Sequence, residues 1–534
     1  MRRTALKPAN LSRRAIFILL LASACLAGVA SHASSLDIIG LTVLRATTTN
    51  LDGTGIPILQ VETEASTSTD WEVNPAAVGL PAGNFVYYYN GASTNNFPNT
   101  LGTESWHGDS VGARFYADPG GVATNVAQVN NYEATYFAFT VIPSGLAING
   151  RVVNQSFIAT TNDQTALDPT YDTYAAQNNT LFVSAVGNGG PVTTPSTCYN
   201  GIGVGAYVNG TVYSSIGPTP DSTHRAKPDL TAPEGATSFS TPLVSGAAVI
   251  LLQAALRGDG GTDTNSAADA RVLKALLING AIKAADWTNS STSPLDARYG
   301  AGTVNVFESY EQLAGGKHAF IASTSVSTGG AHPPTSATNN VGSLTGWDFS
   351  TLTSGVTTDR INHYYFNLAG GASNAMYTAT ATLVWNRQAG QTSINDLNLY
   401  LYNTSNGNRV ASSVSTVDNV EHLYIIKLPP GRYDLQVLKR GGIPSPNGPD
   451  VTSSETYALA FEFFSAPVLA LAHSGGNIVL TWPVYPAGFA LESTPSLTPP
   501  TSWTPASATP VIANNQNSVT ISSSSGNQFF RLSR

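Results

Sequence analysis

The serine with the clearest chemical potential in this sequence lies where a helix is predicted to begin. Ser238 belongs to the run Gly235-Ala236-Thr237-Ser238-Phe239-Ser240-Thr241-Pro242, and the proline and the small residues after it indicate a helix N-terminus. A serine there has its own backbone N–H pointing along the helix dipole, which suits the stabilisation of a developing oxyanion. A capping serine without any catalytic role explains the same pattern, so both interpretations stand at this point.

The elements around this serine alternate between two local patterns from residue 34 to residue 315. Residues 56–61 and 180–186 are short apolar runs bounded by turn residues, which predict buried strands. Residues 242–256 and 272–284 predict helices. Strands that alternate with helices are typical of a parallel sheet, so the predicted fold class of this part is α/β.

The remaining residues carry only strand patterns. Residues 320–466 predict an all-β sandwich or jelly roll, with strands at 379–385, 397–402, 422–428 and 433–437. Residues 467–534 predict a small β module, with strands at 478–482, 489–492 and 529–532. A module of this size has little core of its own, so we expect it to lean on its neighbour.

The N-terminus is typical of a secretory signal peptide over residues 1–33. Five basic residues and no acid occur within residues 1–14, residues 15–30 are nearly all apolar, and a small-residue stretch ends at Ala33, the predicted cleavage point. A membrane anchor is the alternative, but the apolar run falls short of the ~20 residues that a spanning helix needs. A lipoprotein cut before Cys25 fits poorly. Removal of Cys25 leaves Cys198 alone, so no intrachain disulfide is expected.

The composition is typical of a folded protein that functions outside the cell, and it excludes several classes of protein. Only 11% of the 534 residues are charged, against a usual ~25%, while the hydrophobic share is 42%, so bulk disorder is excluded. The formal charge of −8 becomes −13 once the five basic residues of the signal are removed. A nucleic-acid partner is therefore not expected.

Seven blocks along residues 105–305 resemble the motifs of subtilisin-like serine proteases, the subtilases. The serine block resembles the family's G-T-S-M-A-T-P-H-V-A-G-A-A, and the histidine block resembles its H-G-T-H-V-A-G. In chain order the blocks are SWHGDSVG (105–112), VVNQS (152–156), FVSAVGNGG (182–190), KPDLTAP (227–233), ATSFSTPLVSGAA (236–248), LKALLIN (273–279) and YGAGTVN (299–305).

This resemblance implies a role for each matching residue. Ser238 would be the nucleophile, and His107 would accept its proton and pass it to the leaving amine. Asn188 and the backbone N–H of Ser238 would form the oxyanion hole. The implied substrate-binding residues are Asn154, Ser156, Phe157, Ile158 and Gly187, with the segment after residue 154 pairing with an extended peptide.

The acid of the triad is where the sequence departs from the family. The family has V-A-V-I-D-T-G at the end of its first core strand, whereas this chain has ILQVETE at residues 58–64. Glu62 therefore takes the place of the usual Asp, with a side chain one methylene longer. Either acid can orient the histidine if the backbone recedes by about one bond length, ~1.5 Å. A degraded site is the alternative; Asp52 and Asp70 are fallback acids, and Asp109 is expected to be a solvated or capping residue.

Two further departures concern the substrate cleft, and two further resemblances concern the C-terminal regions. Phe157 and Ile158 stand where the family has Leu-Gly, so a narrowed cleft is expected. The second region resembles the jelly-roll domains that follow some subtilase domains, in LVW (383–385), NDLNLYL (395–401) and LPPGRY (428–433). Asp396 is a weak candidate for structural calcium; a turn-capping role is the alternative. The end of the chain resembles small C-terminal modules of secreted bacterial proteins.

These observations predict a secreted serine endopeptidase using Ser238, His107 and Glu62, with no cofactor needed for the chemistry. We expect a polypeptide substrate, no membrane span and a monomer, either released or associated with a cell surface. The alternatives are a catalytically impaired binding or scaffold protein on the same fold, and a glycan-binding surface protein whose jelly roll is the functional part. The predicted domains are 34–315, 320–466 and 467–534.

Overall fold

The computed structural model describes residues 35–534, apart from 161–162, 218, 220–221, 371–375, 443, 446–447, 450–451, 507, 509 and 523–526. The predicted signal peptide at residues 1–33 lies outside the described residues.

A nine-stranded, mainly parallel sheet organises the N-terminal half. The strands here are β1 (Pro57–Glu62), β2 (Asp70–Glu72), β3 (Phe85–Tyr89), β4 (Ala92–Thr94), β5 (Thr103–Glu104), β6 (Gln128–Glu133), β7 (Val152–Gln155), β8 (Leu181–Ala185), β9 (Ile202–Val208), β10 (Thr211–Val212) and β11 (Leu230–Ala232). The sheet order is β10-β9-β8-β7-β1-β6-β3-β4, with β11 beside β9, while β2 and β5 form a separate pair. The predicted α/β class is confirmed.

Helices cover this sheet. They are α1 (Leu41–Thr47), α2 (Trp106–Phe115), α3 (Ala134–Tyr136), α4 (Gln164–Asn178), α5 (Thr237–Arg257), α6 (Thr264–Ala267), α7 (Ala270–Asn279) and α8 (Val306–Ala314), with a 3₁₀ turn at Ala82–Asn84 and a π-helical turn at Phe137–Val141. Helix α7 ends five residues before the predicted residue 284. The apolar sequence pattern continues beyond Asn279, but these residues do not form another helical turn, since Ile282 forms a β-bridge with Thr303 instead.

Helix α5 is the central helix of the N-terminal half. It packs on α2 and on β7, β8 and β9, and it is the one helix in the described part of the chain long and apolar enough to cross a membrane, with 89% of its apolar window buried. The helix begins at Thr237, so Pro242 lies inside it rather than in its first turn as predicted. The missing N–H of Pro242 leaves the carbonyl of Ser238 without a helical donor, and the Ser156 hydroxyl donates to that carbonyl at 2.8 Å.

The close packing of α5 depends on Gly246. A Cβ atom at this position would lie 2.4 Å from the Cβ of Val122. We expect Gly246→Ala to lower the free energy of unfolding by about 1–3 kcal/mol through overpacking, although alanine is intrinsically the better helix former by ~1 kcal/mol. Urea denaturation measures this. Val122→Gly removes that Cβ and both methyl groups, so Gly246→Ala should cost less in a Val122→Gly background than in the unmodified protein. Gly83→Ala, whose Cβ would meet no atom within 4 Å, should cost little.

Two antiparallel sheets form a sandwich after the α/β part. Their strands are β12 (Ala322–Ser327), β13 (Thr345–Thr353), β14 (Thr358–Leu368), β15 (Tyr377–Trp385), β16 (Leu397–Asn403), β17 (Arg409–Ser413), β18 (Val420–Leu428), β19 (Gly431–Lys439), β20 (Pro444–Ser445), β21 (Gly448–Pro449) and β22 (Ser454–Ser465). The sheets have the orders β12-β14-β19-β16-β17 and β13-β22-β15-β18, and β20 pairs with β21. All four strands predicted for residues 320–466 are present, and no strand end differs from its prediction by more than two residues.

The sandwich is fused to the α/β part by buried polar contacts. Sheet β13-β22-β15-β18 packs on α7 and α8. Thr380 and Thr382 both donate to the side chain of Asn279 at 2.9 and 3.0 Å, and Arg387 forms an ion pair with Asp172. These hydrogen bonds and this ion pair cross the interface between the two parts. Separation of the sandwich from the α/β part would break them, and a buried polar group that loses its partner is costly.

The C-terminal module consists of two small sheets. Its strands are β23 (Ala470–Ser474), β24 (Asn477–Pro483), β25 (Ala490–Thr494), β26 (Thr504–Pro505), β27 (Val511–Ala513), β28 (Gln516–Ser522) and β29 (Phe529–Ser533). Tyr485 donates to Glu462 of the sandwich, and the backbone N–H of Ala487 donates to Glu308 of α8, each at 2.5 Å. The module therefore packs against both the sandwich and the α/β part. The domain boundaries at 34–315, 320–466 and 467–534 remain a prediction.

Candidate active site

The predicted site residues lie at the carboxyl ends of parallel strands and at two helix N-termini. Glu62 is the last residue of β1, Ser156 follows β7, and Asn188 follows β8. His107 lies in the first turn of α2, and Ser238 lies in the first turn of α5. Carboxyl ends of parallel strands meet at one edge of a sheet, which is where open α/β sheets bind ligands.

His107 and Glu62 are in direct contact. His107 Nδ1 lies 2.8 Å from Glu62 Oε2, and both residues are buried, at 6% and 1% exposure. A carboxylate only accepts hydrogen bonds, so Nδ1 carries the hydrogen and Nε2 is left with its lone pair. This is the tautomer that a general base needs, and it follows from the position of a glutamate.

Gln60 fixes the orientation of that glutamate. Its Nε2 donates to Glu62 Oε1 and to the backbone carbonyl of Gly108, both at 2.8 Å, while its Oε1 accepts a hydrogen bond from Tyr116 at 2.5 Å. Every polar atom of this buried amide therefore has a partner. Residues 60 and 62 share one face of a strand, and this spacing is the sequence signal that points to Gln60.

The other acids considered for the triad are engaged elsewhere. Asp52 accepts from the backbone and side chain of Thr54. Asp70 accepts from three successive backbone N–H groups, at residues 65, 66 and 67. Asp109 accepts from the backbone N–H of Asn74 at 2.7 Å. Of the four candidate acids, Glu62 is the one that the structure brings to His107.

Asp109 nevertheless titrates in an unusual range. Burial, together with the neighbouring carboxyl of Glu104, raises its pKa to about 7 although the Asn74 N–H opposes this. The folded protein thus holds a proton that the unfolded chain has lost above about pH 4. The associated stability is complete below about pH 4 and is lost as the pH rises through 7.

We therefore expect the free energy of unfolding to fall more between pH 4.5 and pH 8 in the unmodified protein than in Asp109→Asn. Asparagine keeps an acceptor for the Asn74 N–H but has no proton to lose. Urea denaturation at a series of pH values gives the comparison. Parallel pH profiles for the two proteins would contradict the pKa assigned to Asp109.

Ser238 is positioned by its contacts with the segment after β7. Its hydroxyl donates to the carbonyl oxygen of Ser156 at 3.2 Å, and the Ser156 hydroxyl donates back to the carbonyl of Ser238. The ring of Phe239, the next residue, lies 6.0 Å from the ring of His107. Catalytic hydrogen bonds are often long or poorly aligned without substrate and tighten when it binds, so the resting partner of Ser238 is compatible with transfer of its proton to His107.

Asn188 is oriented for donation. Its Oδ1 accepts from the backbone N–H and the hydroxyl of Thr237, at 2.8 and 2.9 Å. The amide nitrogen Nδ2 consequently points the other way, and the side chain is exposed. The N–H of Ser238 belongs to the first four of α5, which have no helical acceptor. Nδ2 of Asn188 and N–H of Ser238 are thus two fixed donors of the kind that an oxyanion needs.

Ser215 fixes the loop that carries Asn188. Its backbone N–H donates to the carbonyl of Gly187 at 2.7 Å, and its hydroxyl lies 3.2 Å from the N–H of Gly189. Gly187 has a φ of 101°, and a Cβ there would lie 2.7 Å from the Ser215 hydroxyl, so only glycine suits this turn. No sequence motif pointed to Ser215, because its partners lie 26 and 28 residues away.

The predicted substrate-binding residues Asn154, Phe157 and Ile158 differ in how far their side chains are buried. Asn154 is fully buried, donates to Ser156 and accepts from Ser245, so its side chain supports the cleft from beneath. Phe157 is 6% exposed and packs in the apolar core below the sheet, whereas Ile158 is half-buried and faces Gly187. A narrowed cleft was expected from Phe157 and Ile158 together, and the buried side chain of Phe157 does not contribute to it.

The weak candidate for a metal site is Asp396. In the described ranges, no group of three or more His, Cys, Asp or Glu side chains is placed to hold an ion. The backbone carbonyl of Asp396 accepts from the N–H of Arg440, and the calcium role considered for Asp396 remains an untested prediction. Cys198 is buried and forms no disulfide.

A family model described as the subtilase family, Peptidase_S8, matches residues 88–302. This range contains His107, Asn188 and Ser238 but not Glu62. The chain therefore contains a domain of the subtilase family, which is a family of serine proteases. Glu62 lies outside the matched range, so its proposed place in the triad rests on the geometry of β1.

Several solved structures are similar to the chain. They include the self-cleaved protease domain of PatA (20% identity, TM-score 0.34, covering 50% of this chain and 99% of that one) and the nisin leader peptidase NisP from Lactococcus lactis (15%, 0.32, 50% and 90%). A third is the epidermin leader peptide processing serine protease EpiP from Staphylococcus aureus (17%, 0.33, 52% and 77%). No curated protein matches the chain.

Proposed function

We propose that this protein is a secreted serine endopeptidase that hydrolyses peptide bonds with Ser238, His107 and Glu62. The observation that carries the proposal is the 2.8 Å contact between His107 Nδ1 and Glu62 Oε2, because a longer acid in the triad was the main departure from the family. Secretion rests on the sequence of residues 1–33. No cofactor enters the proposed chemistry.

The reaction follows from the positions of these groups. The Ser238 hydroxyl attacks the peptide carbonyl while His107 Nε2 accepts its proton, and the tetrahedral oxyanion accepts hydrogen bonds from Asn188 Nδ2 and the Ser238 N–H. His107 then protonates the leaving amine, which leaves an acyl-enzyme that water hydrolyses by the same steps. Glu62 keeps its hydrogen bond with His107 Nδ1 and stabilises the imidazolium.

The experiment that tests this function is hydrolysis of an internally quenched peptide blocked at both termini. Such a peptide can be cut only within its length, so turnover distinguishes an endopeptidase from an exopeptidase. We expect the unmodified protein to cut it and Ser238→Ala to be inactive. Ser240→Ala, which removes a neighbouring hydroxyl bonded to the carbonyl of Ala232, is the matched control and should retain activity.

The competing proposal is a binding or scaffold protein that has lost efficient turnover. It would be favoured if folded protein bound peptides without cutting them. The saturated hydrogen bonding of Gln60 and the fixed amide of Asn188 support the enzyme, since a site without turnover has no need to hold these groups in a reactive arrangement.

A further inference from the structure

We propose that Arg114 is a positioning residue that holds the histidine helix against the serine loop. This inference rests on the proposed peptidase function and adds a residue that touches neither substrate nor the reacting atoms. His107 and Arg114 are seven residues apart on α2, so they lie on the same face of the helix, two turns apart. That face is turned toward the segment at residues 233–239.

Phe239 is held between these two side chains. The guanidinium carbon of Arg114 lies 4.1 Å from the centre of the Phe239 ring, and the same ring lies 6.0 Å from the His107 ring. A guanidinium on an aromatic face is attracted to the ring electrons, and the attraction is stronger when the pair is sheltered from water. Because Phe239 follows Ser238 directly, a backbone shift that carries its ring away from α2 also moves the nucleophile relative to the base.

Glu234 supports Arg114 from the other end of the serine loop. Arg114 Nε and Nη2 lie 3.4 and 3.5 Å from the two oxygens of Glu234, and Arg114 Nη1 donates to the carbonyl of Ser110 at 2.9 Å. The hydroxyl of Ser35 lies 3.1 Å from Glu234 Oε1 and 3.0 Å from the carbonyl of Pro233. Arg114 is thus fixed to its own helix and bridges the residues on both sides of Ser238.

The consequence for catalysis is control of the distance between Ser238 and His107. A misplacement of about 1 Å between reacting groups can cost 10²-fold in rate, and the resting bond of Ser238 to the Ser156 carbonyl shows that this hydroxyl has another partner available. The contact between Arg114 and Phe239 limits how far the serine loop can move from α2. Its loss should slow the chemical step while leaving peptide binding largely intact.

The test compares Arg114→Met and Arg114→Lys in the full chain. We expect Arg114→Met to lower kcat, and the rate of labelling by a small fluorophosphonate, by about 10-fold, with KM changed less than twofold. Lysine keeps the charge but not the planar group, so Arg114→Lys should recover part of the loss. The control is Arg531→Met in the C-terminal module, where Arg531 also pairs with a carboxylate, at Glu492, and a ring, at Trp503; its activity should be unchanged.

A double-mutant cycle completes the test. If Arg114 acts through Phe239, the kcat losses of Arg114→Met and Phe239→Leu should be strongly non-additive. Additive losses, or an Arg114→Met protein that is labelled as fast as the unmodified protein, would overturn the proposal. Unmodified, folded protein that is not labelled at all would instead refute the peptidase function, and with it a positioning role for Arg114.

Discussion

Replacing Glu62 by glutamine is expected to lower kcat by about 10²–10⁴-fold, the effect of removing the acid of such a triad. Glu62 accepts one hydrogen bond on each oxygen, from His107 Nδ1 and from Gln60 Nε2. A glutamine has only one oxygen, so its NH₂ group must face one of these two donors. If it faces His107, the ring takes the other tautomer and its Nε2 can no longer accept the proton of Ser238.

Two variants make this prediction specific. Glu62→Asp keeps the charge but shortens the side chain by one methylene, so we expect an activity between that of the glutamine variant and that of the unmodified protein. Glu64→Gln removes a neighbouring acid whose described contact is with Thr63, and its kcat should stay within about twofold. Full activity in Glu62→Gln would show that Glu62 is not the acid of the triad.

Replacing Asn188 by alanine is expected to lower kcat by about 10²–10³-fold with little change in KM. In the proposed mechanism Nδ2 donates to the oxyanion, so its hydrogen bond strengthens in the transition state and contributes little to binding of the ground state. Initial-rate kinetics on the blocked peptide separate the two parameters. A rise in KM with unchanged kcat would instead indicate that Asn188 only binds substrate.

Thr237→Val provides a graded comparison for Asn188. Valine removes the hydroxyl that donates to Asn188 Oδ1 but keeps the backbone N–H that donates to the same atom. The loss of one of these two bonds is worth about 1 kcal/mol. We therefore expect a decrease in kcat of less than about 10-fold, smaller than that of Asn188→Ala.

Much of the fold follows from local sequence patterns. The strands at β1 and β8 were predicted within one residue at each end, because buried strands of a parallel sheet are short apolar runs between turn residues. The sandwich strands were predicted nearly as well. Helix boundaries were less accurate: Pro242 indicated a start that lies five residues too late, because a distant hydroxyl, that of Ser156, compensates for the missing N–H.

The supporting residues of the site could not be predicted in the same way. Ser238, His107 and Asn188 stand in recognisable motifs, but Tyr116 and Ser215 acquire their roles only when segments far apart in the chain come together. Phe157 is the opposite case: its place in the motif predicted a position in the substrate cleft, whereas the fold places its side chain in the core. A motif gives residue types and spacing, and tertiary contacts decide where each side chain points.

The most direct test of the proposed mechanism is the reaction of the folded protein with a fluorophosphonate probe, followed by mass spectrometry of its peptides. This probe forms a covalent adduct only with a serine that an adjacent base activates. We predict one adduct, on Ser238, which is lost in His107→Ala and formed far more slowly in Glu62→Gln. Folded protein that forms no adduct on Ser238 would contradict the assignment of a working serine protease site.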